Sequence, residues 1–257
     1  MGGNNVLHDF TLIKCDFGDV PYVNIYPIGD VHIGSSECNL DLFREYISKI
    51  ANEPNGYAVI IGDMMNMGLK NSKSNVYEEV LNPMEQKELC YELLSPIADK
   101  ILAGCSGNHE YRYVREVGTN PLYDVFCRLR IEDRYRENAC FLKLVVGKSG
   151  KNPNTYGVVL THGSSKNKDE KWTYAVDGCD VFISGHTHLG THQPLGKIKM
   201  DLTHETVKTI GYQHIVVIPF QEYGGYAIRG KYLPNNLAQF QCVTFNGTSK
   251  RVGYAFV

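Results

Sequence analysis

The side chains best able to do chemistry in this sequence are histidines, aspartates and one asparagine gathered in short glycine-bearing blocks. Asp30 and His32 are two residues apart, so in an extended segment both side chains leave from one face and can grip a single cation. His186 and His188 repeat that spacing in Gly185-His186-Thr187-His188, where Gly185 permits a sharp backbone turn. Gly62-Asp63, Gly107-Asn108-His109-Glu110 and Thr161-His162-Gly163 stand between them. Singly, such pairs are more often turns than metal sites. Five in series, supplying oxygen and imidazole donors without thiolate, favour manganese, iron, zinc or nickel over a cysteine-rich zinc site.

Each block follows a short β-rich run, as expected of buried strands that deliver side chains to one end of a sheet. These runs are Val23 to Ile28, Tyr57 to Ile61, Ile101 to Cys105, Tyr156 to Leu160 and Val181 to Ile183. Leu40, Phe43, Tyr46, Ile47 and Ile50 recur at helical spacing with Asn39 or Asp41 as the cap, so the first two strands read as a β-α-β crossover. A second helix is expected over Pro83 to Lys100, with Met84, Leu89, Leu93, Leu94 and Ile97 as its apolar stripe, and a third over Asn120 to Leu129. Ile215 to Phe220, Gln239 to Phe245 and Val252 to Val257 read as antiparallel strands, whereas Gly147 to Thr155 and Ser164 to Lys171 are polar enough for mobile loops.

In this order the blocks G-D-x-H, G-D, G-N-H-E, T-H-G and G-H-T-H resemble the calcineurin-like metallophosphoesterase family, over roughly Tyr22 to His188. The resemblance implies an α/β fold: a four-layer α/β/β/α sandwich with two mixed β-sheets. A length of 257 residues with 43% apolar residues makes a single domain over residues 1–257 the default, its motif-bearing part about 22–188 and a strand-rich part about 189–257. The resemblance also implies two divalent or mixed-valence metal ions, manganese being the leading candidate. By the same resemblance Asp30, His32 and His188 hold one ion, Asn108, His162 and His186 the other, and Asp63 bridges both. Two such ions lower the pKa of a bridging water and neutralise phosphoryl charge, so hydroxide attacks in line and no serine or cysteine nucleophile is needed. His109 matches the family residue that contacts phosphate or protonates the leaving group. Glu110 is placed to orient His109, and Asn66 to act as a substrate or supporting contact. Arg112 and Arg115 follow closely enough to reach a phosphate through bidentate bonds.

The leading functional expectation is a phosphodiesterase acting on a nucleic acid or nucleotide, because the compact chain resembles the family's small bacterial and phage-type diesterases and nucleases. Phosphomonoester hydrolysis on a nucleotide, metabolite or phosphoprotein is the alternative. A noncatalytic scaffold fits less well, since every metal position and His109 carry competent side chains. With 28 acidic against 26 basic residues in 257, no field of one sign is available to hold nucleic acid nonspecifically. The eight scattered cysteines form no C-x-x-C and read as reduced packing residues of a cytoplasmic protein. Met1 to Asn5 lacks a secretion signal, no run approaches the ~20 apolar residues of a membrane span, and the sequon at Asn246 is discounted. His8, His192, His204 and His214 match no block. Tyr223, Tyr226, Arg229 and Tyr232, interleaved with Gly224, Gly225 and Gly230, would suit a loop that stacks a ring, although 17 tyrosines make ordinary packing the simpler reading.

Overall fold

The structure, a computed structural model, describes residues 8–70, 76–229, 231, 234 and 239–257. Two six-stranded mixed sheets stack face to face. The first carries most of the predicted strands: β2 (Tyr22–Ile28), β3 (Gly56–Ile60) and β4 (Ile101–Cys105) run parallel, β5 (Tyr135–Arg136) extends them, and β11 (Gln241–Asn246) and β12 (Val252–Phe256) add an antiparallel edge, in the order β12-β11-β2-β3-β4-β5. The second is ordered β1-β6-β7-β8-β10-β9, from β1 (Leu12–Asp16), β6 (Ala139–Ser149), β7 (Asn152–Thr161), β8 (Val181–Ser184), β9 (His192–Asp201) and β10 (Thr206–Val216).

Alternation along the strands explains the layers. Val23, Ile25, Val59 and Ile61 of the first sheet meet Leu142, Leu144, Val158, Leu160 and Ile183 of the second in a buried seam. The opposite face of the first sheet sends Tyr26, Ile28, Ala58 and Ile60 into a core closed by helices. Those helices are α1 (Leu40–Asn52), α2 (Pro83–Leu94) and α4 (Pro121–Arg128). Asn39 caps α1 by accepting from the Leu42 N–H, and Phe43, Tyr46, Ile47 and Ile50 are buried as their spacing predicts. On the outer face of the second sheet, Trp172 of α5 (Lys166–Ala175) packs edge-on to Phe141 and Phe182. Helices therefore lie outside both sheets, giving the expected α/β/β/α sandwich.

Several local expectations are corrected. Gly147 to Thr155 is no loop but the turn and flanks of the β6–β7 hairpin, and the polar Ser164 to Lys171 stretch leads into α5. Pro83 to Lys100 is α-helical only to Leu94 and continues as a 3-10 turn, Ser95–Lys100; Met84 is exposed, its place in the stripe taken by buried Gln86 and Cys90. The strand expected at Ile215 to Phe220 instead runs Thr206–Val216 and pairs with β9, where no strand was expected. An unpredicted helix, α3 (Asn108–Val117), begins at the G-N-H-E block. Residues Met1 to Asn5 lie outside the described residues.

Candidate metal centre

All five blocks arrive at one end of the sandwich, from the parallel strands β2, β3 and β4 of one sheet and the parallel pair β7 and β8 of the other. Asp30 and His32 follow β2, Asp63 follows β3, Asn108 opens α3 after β4, His162 follows β7, and His186 and His188 follow β8. The loops are laced together by the main chain: Asp30 N–H donates to Gly62 O at 3.1 Å, and the Val31 and His32 N–H groups donate to Asp63 O at 2.9 and 3.0 Å.

Close approach is possible because two neighbours have no side chain. A Cβ on Gly62, at φ +83°, would lie 2.2 Å from the Gly107 nitrogen, and one on Gly107 would lie 2.1 Å from Asp63 Oδ1. Asp30, His32, Asp63, His186 and His188 also hold left-handed backbone, with φ of 52°, 54°, 49°, 68° and 55°. Such conformations cost roughly 1–2 kcal/mol per residue, less for aspartate than for most side chains, and persist where surrounding bonds over-determine them. Here those bonds include the His186 N–H to the Asp30 carboxylate at 2.9 Å and the His109 N–H to Asp63 Oδ1 at 2.8 Å.

The ligand atoms converge in two groups around Asp63. On one side His188 Nε2 stands 3.3 Å from Asp30 Oδ1 and 3.4 Å from His32 Nε2, with His32 Nε2 3.9 Å from Asp63 Oδ2. On the other, His162 Nε2 lies 3.1 Å from Asp63 Oδ2 and 3.0 Å from Asn108 Oδ1, which is 2.6 Å from His186 Nδ1. His162 commits its Nδ1–H to Ile61 O at 2.8 Å, so that Nε2 faces the centre. His32 Nδ1 likewise faces Asn66 Oδ1 at 3.2 Å. Carboxylate, amide oxygen and imidazole gathered this closely are donors that suit divalent cations. The arrangement therefore fits two metal ions that share Asp63.

The electrostatics differ from ring to ring. Burial disfavours an imidazolium at His162, but the Asp63 carboxylate outweighs it and raises the pKa to about 10, so a cation held there would have to displace the Nε2 proton. Burial opposes ionisation of Asp63, and His162, His109 and His32 nevertheless hold its carboxyl well below the usual range. At His32, burial and then the nearby His109 lower the pKa to about 3, so its ring is neutral as a ligand requires. Asp30, His32, Asp63 and His162 are buried, whereas Asn108 is exposed and His186 and His188 are partly so, which leaves the centre open on that side.

His109 joins the cluster from α3, with Nε2 3.8 Å from Asp63 Oδ2 and its ring edge-on to His32. Its Nδ1 faces Asn66 O at 2.7 Å, and Arg112 donates to the same carbonyl. Glu110 does not orient His109 as the sequence suggested. Its buried carboxylate accepts from the N–H groups of Asp63, Met64, Met65 and Gly107, at 2.8 to 3.2 Å, and so pins the Asp63 loop to the start of α3. Burial and the neighbouring Asp63 push the Glu110 carboxyl up to about 7 against those donors. Arg112 turns to the Asn66 and Met67 carbonyls, at 2.5 and 3.3 Å, and Arg115 is exposed.

The remaining candidates lie elsewhere. His192 stacks on Tyr254, buried His214 meets Ser184 Oγ at 2.9 Å, and His204 pairs with Asp201. Of the tyrosine-rich loop, Gly225–Arg229 forms a short helix, α6, and Arg229 pairs with Glu78 at 3.2 Å; Gly230, Tyr232 and the Tyr226 side chain lie outside the described residues. Unforeseen was the pair Glu79 and Gln86, which reaches the centre through Asn66. The signal available was a glutamine set among the apolar positions of α2.

Two stacked mixed sheets with a twin cluster of carboxylate, amide and imidazole donors at their strand ends define a phosphoester hydrolase of the metal-dependent class. The family model for calcineurin-like phosphoesterases matches residues 23–190, and the chain belongs to that family. Comparison with curated proteins finds no match. Among solved structures the chain is similar to the calcineurin-like phosphoesterase YfkN from Bacillus subtilis, at 12% identity and TM-score 0.42 over 91% of this chain and 90% of that one. It is also similar to GAP50, described as the anchor in the inner membrane complex of Plasmodium, at 11% identity and TM-score 0.44 over 92% and 84%. No helix among the described residues is long and apolar enough to cross a membrane.

Proposed function

We propose that this chain is a dinuclear metal-dependent phosphodiesterase acting on a nucleic acid or nucleotide. The observation that carries the dinuclear reading is the position of Asp63, 3.9 Å from His32 on one side and 3.1 Å from His162 on the other. Asp30, His32 and His188 would hold one ion, Asn108, His162 and His186 the second, and Asp63 both. When bound, the ions supply a water of lowered pKa and neutralise charge on the phosphoryl oxygens.

The protein's own contributions are positional. Ile61 O and Asn66 Oδ1 turn the His162 and His32 rings so that Nε2 faces the centre. Glu110 sets the Asp63 loop, and left-handed backbone at Asp30 and His186 aims both side chains inward. His109 would contact the phosphate through Nε2 and hand a proton to the leaving oxygen, its Nδ1 held between Asn66 O and the Arg112 guanidinium. Arg112 would act chiefly by fixing that carbonyl. Preference for a diester rests on the motif resemblance, and manganese on the oxygen and imidazole donor set. All eight cysteines are free, in keeping with a cytoplasmic location, and β11 and β12 extend the motif-bearing sheet, in keeping with one domain over residues 1–257.

The test compares bis-p-nitrophenyl phosphate with p-nitrophenyl phosphate as substrates in added manganese, for the parent and for His109→Ala. Diester turnover should exceed monoester turnover, and His109→Ala should lower the rate by about 100- to 10,000-fold. Faster monoester turnover would establish the alternative substrate class, and an unchanged rate in His109→Ala would remove the residue from the mechanism.

A further inference from the structure

Asn66 touches the centre with an amide, and an amide does not by itself decide which end faces a neighbour. The oxygen accepts and the nitrogen donates, and reversing the group would reverse the proton on the histidine it meets. His32 Nδ1 lies 3.2 Å from Asn66 Oδ1, so the proton must sit on Nδ1 for His32 Nε2 to present a lone pair to the Asp30, Asp63 and His188 cluster. Were the Asn66 NH2 there instead, Nδ1 would accept, Nε2 would carry hydrogen, and that hydrogen would occupy the place of a cation.

The orientation is settled one residue further out. Asn66 Nδ2 donates to Glu79 Oε1 at 2.5 Å, and an ionised carboxylate can only accept. Glu79 is held in turn by Gln86, whose Nε2 donates to Glu79 Oε2 at 2.6 Å. The buried Gln86 amide cannot reverse, because its Oε1 accepts from Met67 N–H at 2.8 Å and its Nε2 also donates to Leu81 O at 2.8 Å. A chain of one-way bonds thus runs from α2 to the metal centre: Gln86 to Glu79, Asn66 to Glu79, His32 to Asn66.

We infer that Glu79 is a positioning residue for the metal centre: by holding the Asn66 amide in one sense, it fixes His32 in the tautomer that can ligate. The role in ligation rests on the dinuclear reading above; the tautomer does not. Glu79 lies outside all five motif blocks, in a segment just before α2, and touches no ligand atom itself.

The test uses Glu79→Ala and the pair Asn66→Asp/Glu79→Ala in the full chain stripped of metal at pH 8. Long-range proton–nitrogen spectra should show His32 protonated at Nδ1 in the parent and a mixture of tautomers in Glu79→Ala. Manganese affinity should fall by about 10- to 100-fold, as for other partners that orient ligating histidines. Aspartate at position 66 accepts whichever way it turns, so the double variant should regain the Nδ1–H tautomer and most of the affinity without Glu79. A merely structural role for Glu79 predicts no such rescue. Parent-like spectra and affinity in Glu79→Ala would overturn the inference, as would a double variant lacking the Nδ1–H form. If both variants fail to fold by circular dichroism, Glu79 is a stability residue and the inference is also overturned. If the tautomer responds as stated but no variant and no parent binds manganese, the relay stands and the dinuclear reading falls.

Discussion

Gly62→Ala probes the contact that lets three loops meet at Asp63. Two costs are separable. At φ +83° an added Cβ meets its own backbone unfavourably, for roughly 1–2 kcal/mol. It would also lie 2.2 Å from the Gly107 nitrogen and 2.5 Å from the Ser106 carbonyl carbon, main-chain atoms that cannot rotate aside. Overpacking of that kind costs typically about 1–3 kcal/mol, so the expected loss is about 2–5 kcal/mol in all. Gly118→Ala is the matched control: the residue caps α3 at φ +81° with nothing within 4 Å of its Cβ position, so only the first cost applies. Urea unfolding followed by circular dichroism should place Gly62→Ala below Gly118→Ala by about 1–3 kcal/mol. Pushing Gly107 away also separates Asp63 from the His109 N–H it accepts at 2.8 Å, so manganese binding should weaken in Gly62→Ala and hold in Gly118→Ala. Equal stabilities for the two variants would refute the reasoning, because backbone conformation alone would then account for both glycines.

Two further outcomes follow from the packing. Burial pushes the Cys15 and Cys38 thiols up to about 11 and about 12 and raises Cys90, Cys105, Cys140, Cys179 and Cys242, whereas Cys127 on α4 is exposed. A disulfide reagent at pH 8 should therefore titrate one fast thiol in the folded protein, and Cys127→Ser should abolish the fast phase; several fast thiols would contradict the buried placement. Asn82 accepts from the Met84 and Glu85 N–H groups while Glu85 returns a bond to Asn82 N–H, so Asn82→Ala should cost about 1 kcal/mol in a urea titration. A change under a few tenths would mean the capping box contributes nothing.

What was legible in the sequence was the part governed by short-range rules. Strands ending in Gly-Asp, Gly-Asn-His or Gly-His announce themselves by a buried run meeting a turn, and the five blocks do converge. Asn39 and the α1 stripe were readable for the same reason, since capping and a 3.6-residue period are local. The β6–β7 hairpin was obscured by its polar turn, and β9 by Lys197, Lys199 and the exposed Ile198 and Met200, whose pattern lacks a buried face. Starting α3 at Asn108 depends on Gly107 as cap and on Glu110 folding back on the Gly107 N–H, which also explains why Glu110 is spent on the Asp63 loop rather than on His109. Glu79 was invisible because its importance comes only through Asn66 and Gln86, partners placed by tertiary structure.

The central claim is that one aspartate joins two cation sites, and anomalous diffraction from crystals soaked in manganese addresses it directly. Two peaks are expected, one among Asp30, His32 and His188 and one among Asn108, His162 and His186, each in contact with the Asp63 carboxylate. A single peak, or two that do not both touch Asp63, would contradict it.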